Sequence, residues 1–449
     1  MANSYKKSMI LPSTDFDMRA NLPTNEPKRL AQWDEENLYA RVLEKNKDGE
    51  PFILHDGPPY ANGPIHIGHA FNKILKDFVL KSHAQQGYYT PYIPGWDCHG
   101  QPIEHMVEIT LGPEKMAQTD QPTLRKLCRE WAEKYVDVQR NGFKRLGVNA
   151  DWEHPYLTFI PDFESGNVEI FKEMYLKGSI YRGRKPIHWC KQCHTALAEA
   201  EIEYGDEMSP SIFVRFALDE IPADFAQASL QGTCDVLIWT TTPWTLPANT
   251  AVSLAPDADY VVVQTNGLNL LMAEALVEQV ASIAAWDEYQ LFACEGAAEP
   301  VRVKGKALAG VTYTCPIRHD LKGTIIYGDH VTLDSGTGCV HTAPGHGQDD
   351  YLVGLEFGIP LLMPVDDNGV LTEEAAPFAG MDVFEANDPI IAWLTEQGTL
   401  VARQDIDHSY PHCWRCHEPV IFRATDQWFV SMDETGLREA ALDQIRHKV

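Results

Sequence analysis

Apolar residues recur at Phe71, Ile74, Leu75, Phe78 and Val79, the i, i+3, i+4, i+7, i+8 spacing that gives one apolar face to a helix running to about Gly87. Ahead of it, Pro51-Phe-Ile-Leu-His55 predicts a short buried strand and Asp56-Gly-Pro-Pro-Tyr-Ala-Asn-Gly-Pro64 a turn-rich loop. Strand, glycine-rich loop and helix, in that order, open a nucleotide-binding α/β fold. Polar, proline-interrupted sequence precedes them over 1–50, with a charged helical stretch at about 29–45. Further helices are expected at about 123–146, from the spacing of Leu124, Leu127, Trp131 and Tyr135, and at 162–177, where Gly178 supplies the stop. From Ser211 the texture turns to strands: Ile212-Phe-Val-Arg-Phe216, Val236-Leu-Ile-Trp239, Tyr260-Val-Val-Val263 and Thr324-Ile-Ile-Tyr327, punctuated by Gly, Pro, Asp and Asn. A last helix is expected over 437–449.

Length and composition narrow the class. A chain of 449 residues exceeds one ordinary core, so two or three domains are expected. With 44% hydrophobic and 22% charged residues, the composition is globular and excludes extended disorder or a collagen-like repeat. No repeat period is present, which excludes solenoids and propellers. The formal charge of −27 argues against a nucleic-acid coat protein or a binder of anionic membranes, although a local basic strip can still meet a phosphate backbone. No apolar run reaches the roughly 18–20 residues of a membrane span; the stretch 260–286 is broken by Gln264, Asn266, Asn269, Glu274, Glu278 and Gln279. The first residues carry two lysines and a short apolar stub before Pro12 and Asp15, with no signal-peptide pattern, so a cytoplasmic location without membrane association is expected.

Ten cysteines are present. Four form two Cys-x-x-Cys pairs, Cys190/Cys193 and Cys413/Cys416, a spacing that favours metal over disulfides in a large enzyme. Two thiolate pairs suffice for a tetrahedral structural Zn²⁺, with His194 and His417 left as competing ligands. If both pairs hold one ion, the β-rich stretch between them is an insertion stapled at its ends. Cys98, Cys128, Cys234, Cys294, Cys315 and Cys339 read as single buried thiols.

The segment richest in chemistry is Gly57-Pro-Pro-Tyr-Ala-Asn-Gly-Pro-Ile-His-Ile-Gly-His69. Gly57, Gly63 and Gly68 allow close backbone approach to a ligand, and the following helix presents free N–H groups and a positive dipole end to phosphate. His66 and His69 fall on one face of the first turn, where imidazoles can donate to phosphate oxygens as charge builds in a transition state.

His66-Ile67-Gly68-His69 resembles the HIGH signature of class I aminoacyl-tRNA synthetases, in the form used by the large isoleucine, valine and leucine enzymes. Pro94-Gly-Trp-Asp-Cys-His-Gly-Gln-Pro-Ile-Glu104 resembles the isoleucine branch, with Gln101 where Leu is expected. The resemblance runs over nearly all of 10–449. It implies ATP, as its Mg²⁺ complex, at His66, His69 and the loop residues Pro58, Pro59, Tyr60, Ala61, Asn62, Gly63, Ile67 and Gly68. It also implies an amino-acid pocket lined by Gly57 and Pro58, in which Asp97 binds the α-ammonium of isoleucine; a carboxylate is the simplest partner for that group. Trp96 and Trp131 read as core.

Two further segments resemble the walls of a synthetase editing pocket: Trp239-Thr-Thr-Thr-Pro-Trp-Thr-Leu-Pro-Ala-Asn249 and Gly336-Thr-Gly-Cys-Val-His-Thr-Ala-Pro-Gly-His-Gly-Gln-Asp-Asp-Tyr351. The resemblance implies editing roles for Thr240, Thr241, Thr242, Trp244 and Asn249. His341 would contact the tRNA terminal ribose or substrate, and Asp350 would bind the ammonium of the misattached amino acid. Such a site has a physical reason: one methylene separates valine from isoleucine and is worth only about 1–3 kcal/mol of discrimination, a limit for which this amino-acid pair is the standing illustration.

The architecture implied is a Rossmann-like α/β class I catalytic domain with an inserted β-rich editing domain and a zinc-knuckle connection. Its expected parts are an N-terminal extension (1–50), the first half of the catalytic domain (51–186), a first knuckle (187–205), the editing domain (206–404), and a second knuckle with the return to the catalytic domain (405–449). The activity implied is ATP-dependent formation of isoleucyl-AMP and transfer to the tRNA 3′ end, with hydrolysis of misacylated Val-tRNA, by a monomer. The Lys-Met-Ser-Lys-Ser signature is not found in these residues, so a truncated chain with weak isoleucine activation is expected. The alternatives are a stand-alone synthetase-derived editing module and a valine or leucine relative.

Overall fold

A computed structural model describes residues 14–15 and 19–448, so the stub before Pro12 and Val449 lie outside the described residues. The chain divides into two compact units, one ending at Ser179 and the other beginning at Ile180.

The first unit wraps helices around short parallel pairings. Pro51 bridges Tyr89 and Tyr60 bridges Asp97, both in parallel, and Gly95-Trp96 pairs in parallel with Tyr156-Leu157. The strand expected at 51–55 is therefore an extended segment tied at one end, through the Phe52 N–H to the Tyr89 carbonyl at 2.8 Å. At Gly95 any Cβ would lie within 2.0 Å of the Tyr156 ring, so only glycine lets these two strands close. The charged stretch at 29–45 forms two helices, Leu22–Glu35 and Leu38–Lys45, because Asn37 takes the left-handed conformation at φ 52° and breaks the run. The helices expected at 123–146 and 162–177 form as Gln121–Arg145 and Pro161–Leu176.

The helix Ile67–Gln85 forms where the periodicity places it, but the face it buries is not the apolar one. Its buried residues are Lys73, Asp77 and Leu80, while Phe71 and Phe78 are 66% and 62% exposed. Charge pairing explains the reversal. Lys73 meets the buried Asp56, and Asp77 takes the Lys81 ammonium at 2.5 Å and the Asn149 N–H at 2.9 Å. Ionic groups sit inside when each finds its partner there.

The second unit is built on a mixed sheet of eleven strands. Six of them, in the order Asp235–Thr240, Cys339–Thr342, Ala251–Leu254, Lys322–Tyr327, Thr312–Thr314 and Ile202–Leu218, close on themselves, because the last pairs back with the first. Closure removes the sheet edges and encloses a core that includes Ile212, Val214, Val236, Ile238, Val252, Tyr313, Ile325 and Cys339. Side chains alternate along a strand, so Thr240 shares the face of Ile238, and His341 that of Cys339. Polar groups thereby enter one end of an otherwise apolar barrel. Two antiparallel ribbons complete the unit: Leu400–Cys413 runs along Ile202–Leu218, and Ile421–Val430 along Ile180–Cys190. A final helix spans Leu437–His447.

Candidate active sites and the cysteine cluster

In the first unit His66 is the N-cap of the helix Ile67–Gln85, and the two histidines form a reciprocal cap. His66 Nδ1 accepts the Gly68 N–H at 3.1 Å, and His69 Nδ1 accepts the His66 N–H at 3.3 Å. A backbone N–H can only donate, so each neutral ring carries its proton on Nε2. The rings lie 4.0 Å apart. Burial, then the neighbouring His66 and Lys73, hold His69 below its ordinary pKa, which favours the neutral ring. A Cβ on Gly68 would lie 2.9 Å from His66 Cε1, so glycine is what lets that imidazole fold onto the helix end.

The loop 57–63 is fixed from two sides. The Asp97 N–H donates to the Pro59 carbonyl at 2.9 Å, and the Ala61 N–H to the Asp97 carbonyl at 2.9 Å. Gln139, fully buried, donates to the carbonyls of Tyr60 at 2.9 Å and Gly63 at 2.8 Å, while its own oxygen accepts the Trp96 indole N–H at 3.0 Å. The Trp131 indole N–H donates to the Asn62 carbonyl at 3.1 Å. Trp96 is core, as expected; Trp131 is half-buried and acts as a brace. Ala61 is buried, Pro58, Pro59, Asn62 and Gly63 are half-buried, and Gly57, Ile67 and Gly68 are exposed. Asp97 is half-buried; its carboxylate accepts the His99 N–H at 3.4 Å and, among the described residues, forms no ion pair.

Beneath the loop, Asp56 is 1% exposed and receives Lys73, Lys76 at 2.7 Å, the Tyr92 hydroxyl at 2.8 Å and the Gly95 N–H at 3.0 Å. Burial alone would raise its pKa. The Lys73 charge and the hydrogen bonds from Lys73, Lys76 and Gly95 outweigh it and hold the carboxyl below its ordinary range. The sequence reading missed Asp56 and Gln139; nothing local distinguishes them from surface residues.

In the second unit, Thr241, Thr242 and Trp244 line a cleft of about 490 Å³. Thr240, Asn249 and His341 are buried beside it. His341, 6% exposed, has both ring nitrogens engaged, by Asn249 at 2.7 Å on Nδ1 and by Thr245 Oγ1 at 2.9 Å on Nε2. Burial and the nearby His346 push its pKa down to about 3, so the ring is neutral. Thr245 donates to the Thr242 carbonyl at 2.8 Å, and the Thr242 N–H donates to Thr240 Oγ1 at 3.1 Å. Thr240, Thr242, Asn249 and His341 thus belong to one hydrogen-bonded chain, which Thr245 joins although its sequence context does not mark it. Asp350 is not a member of that chain: in the first turn of the helix Gln348–Phe357 it accepts the N–H of Ala343, two residues beyond His341, at 2.8 Å, and burial raises its pKa.

The ends of the two ribbons bring Cys190, Cys193, Cys413 and Cys416 together, with all four Sγ atoms within 4.8 Å of one another. A tetrahedral Zn²⁺ with Zn–S bonds of ~2.3 Å implies S···S edges of about 3.8 Å, so the donor set fits that ion. His417 is turned away, its Nδ1 2.9 Å from Glu203, and His194 is exposed. Both take the left-handed backbone conformation that closes a knuckle turn, at φ 60° and 49°.

The first unit thus carries a glycine-dependent histidine cap next to a braced loop, and the second a barrel whose strands lie between two cysteine pairs. The chain belongs to the class I tRNA synthetases: the family description covering the I, L, M and V enzymes matches residues 28–449. In particular, it is similar to isoleucine–tRNA ligases. That of Moorella thermoacetica is 49% identical over 442 residues, covering 98% of this chain and 46% of the relative. That of Kosmotoga olearia is 48% identical over 442 residues, with the same coverage, and that of Nitratidesulfovibrio vulgaris is 49% identical over 448 residues, covering 100% of this chain and 47% of the relative. The chain spans about half the length of the curated relatives it matches. Among the described residues, no helix is long and apolar enough to cross a membrane.

Proposed function

We propose that this chain carries the amino-acid-activating and proofreading parts of an isoleucine–tRNA ligase. The observation that carries the reading is the histidine cap. Two rings at one helix end, each with its Nε2 proton free to donate, suit the phosphates of ATP as the isoleucine carboxylate attacks and pyrophosphate leaves. The helix N-terminus adds its own N–H groups. Asp97, held against the loop and without a cation of its own, offers its carboxylate to the ammonium of isoleucine, with Gly57 and Pro58 as the adjoining wall. ATP enters as its Mg²⁺ complex, and the tRNA 3′ end is the acceptor.

Proofreading belongs to the barrel. The cleft beside Thr241, Thr242 and Trp244 would admit a valyl ester and reject the larger isoleucyl ester, with Asp350 holding the ammonium. Threonine hydroxyls position a water more readily than they act as strong nucleophiles, which is adequate for an activated ester. Bound at Cys190, Cys193, Cys413 and Cys416, Zn²⁺ would tie the two ribbon ends together as a structural ion. The part boundaries proposed are 51–186 with 405–449 for activation, 206–404 for proofreading and 187–205 for the first knuckle, in a monomeric cytoplasmic enzyme.

The test separates two amino-acid sites. At high enzyme and low salt, Val-tRNA or a short valyl ester should be deacylated and Ile-tRNA spared. Asp350→Ala should abolish this, while Asp97→Ala should leave it intact and abolish binding of an isoleucyl-adenylate analogue. Equal loss of deacylation in both variants, in folded protein, would overturn the division. A second reading, a synthetase-derived editing module, is favoured by the closure of the barrel within one unit. Deacylation without any binding of the adenylate analogue by the parent chain would select it.

A further inference from the structure

The barrel holds a phenol that no role so far described uses. Tyr313, fully buried on the strand Thr312–Thr314, donates its hydroxyl to Asn249 Oδ1 at 2.7 Å. From the proofreading reading above, on which this inference rests, we infer that Tyr313 is a positioning residue: through Asn249 it sets the tautomer of His341 and so aims the threonine peptide at the cleft.

The direction of every bond in the chain follows from the orientation of the Asn249 amide. The Ala251 carbonyl can only accept, so the Asn249 amide nitrogen faces it at 3.0 Å and His341 Nδ1 at 2.7 Å, and Oδ1 is turned to the Tyr313 phenol at 2.7 Å, which holds it there. An amide nitrogen can only donate, so His341 Nδ1 is an acceptor and the ring proton lies on Nε2. Nε2–H therefore donates to Thr245 Oγ1 at 2.9 Å, which leaves the Thr245 hydroxyl proton for the Thr242 carbonyl at 2.8 Å. Thr242 Oγ1 lies 3.3 Å from both Thr245 Oγ1 and Thr240 Oγ1, and Thr242 lines the cleft. The orientation of a wall of the cleft is thus linked to a hydroxyl four side chains away. Without the phenol, Asn249 Oδ1 is left without its donor inside the barrel, and the Ala251 carbonyl alone opposes rotation of the amide. Rotation would present an acceptor to Nδ1, move the proton there, and turn the Thr245 hydroxyl from the Thr242 carbonyl to Nε2.

The experiment uses the full chain labelled with ¹⁵N-histidine, the His341 signals being assigned by their loss in His341→Gln. The parent should show an unprotonated Nδ1 and a protonated Nε2. Tyr313→Phe should shift that ratio toward protonated Nδ1 and lower kcat for valyl-ester deacylation about tenfold, with KM within twofold. Tyr260→Phe removes another fully buried phenol, one bonded to the Gly338 carbonyl and the Ala255 N–H. It serves as the control for a purely structural loss and should leave the His341 ratio unchanged. Should Tyr313→Phe not fold, Asn249→Asp replaces the donating amide by an acceptor and is expected to move the proton to Nδ1 with the same loss of kcat. Either readout unmoved in a folded variant overturns the inference. If the parent chain deacylates nothing, the proofreading reading falls, while the tautomer measurement still judges the hydrogen-bond chain.

Discussion

At the scale of single residues, stability and chemistry meet at two buried ionisable groups. Asp56 ionises in the interior because Lys73 and Lys76 are there with it. Removing its charge strands Lys73, which is 2% exposed. Asp56→Asn is therefore expected to cost ~3–5 kcal/mol, the range for breaking one side of a buried pair. Urea unfolding of the full chain measures this, and a loss below about 1 kcal/mol would contradict the pairing. His341 is the second case. Its folded pKa is held near 3, below the ordinary 6.5. Below pH 6.5 the unfolded chain takes up a proton that the folded chain refuses. The stability contributed is thus complete above pH 6.5 and is lost as pH falls from there towards 3. Between pH 7 and 5 the parent should lose about 2 kcal/mol more than His341→Gln, from a slope of ~1.36 kcal/mol per pH unit below 6.5. Unfolding curves at the two pH values, parallel for parent and variant, would contradict it.

Elements translate these residues into shape. The helix Gln121–Arg145 was readable from its spacing, but its part in the site was not. It sends Gln139 inward to hold Tyr60 and Gly63, so the loop beside the histidine cap is shaped by a residue 76 positions from Gly63. Gln139→Leu removes the donor to these two carbonyls and the buried acceptor of the Trp96 N–H, which should cost at least ~2 kcal/mol. It should also weaken binding of an isoleucyl-adenylate analogue by an order of magnitude, as calorimetry would read; unchanged binding would show that the loop keeps its shape alone. The helix Ile67–Gln85 teaches the complementary lesson. Its apolar period located it, yet periodicity assumes that charge faces water, and here the inward face carries Lys73 and Asp77 with their partners. In the second unit, Ile212, Val236, Tyr260 and Ile325 all fall in the strands their runs predicted. Apolar strand runs report burial directly, and every one of these residues is buried.

For the whole molecule, the two ribbons gather cysteines from positions 190 and 416, a separation no local signal spans, into one donor set. Material purified without chelator should contain close to one Zn²⁺ per chain, and Cys413→Ala should lose it; below about 0.2 Zn²⁺ per chain by elemental analysis, the assignment fails. The sequence by itself located the helices Ile67–Gln85 and Gln121–Arg145, the four apolar strand runs, the HIGH-type histidine pair, the threonine peptide and the cysteine pairs. Each is written in local spacing, and local spacing is set by backbone geometry and residue type. Only the tertiary structure decided which face of the helix after the loop is buried, that the strands close into a barrel, and that Tyr313 and Thr245 join the threonine chain. It also decided that Asp56 and Gln139 underpin the loop beside the histidine cap. These depend on partners distant in the chain, because a buried polar group is tolerated only where its partners converge, and convergence is a property of the fold.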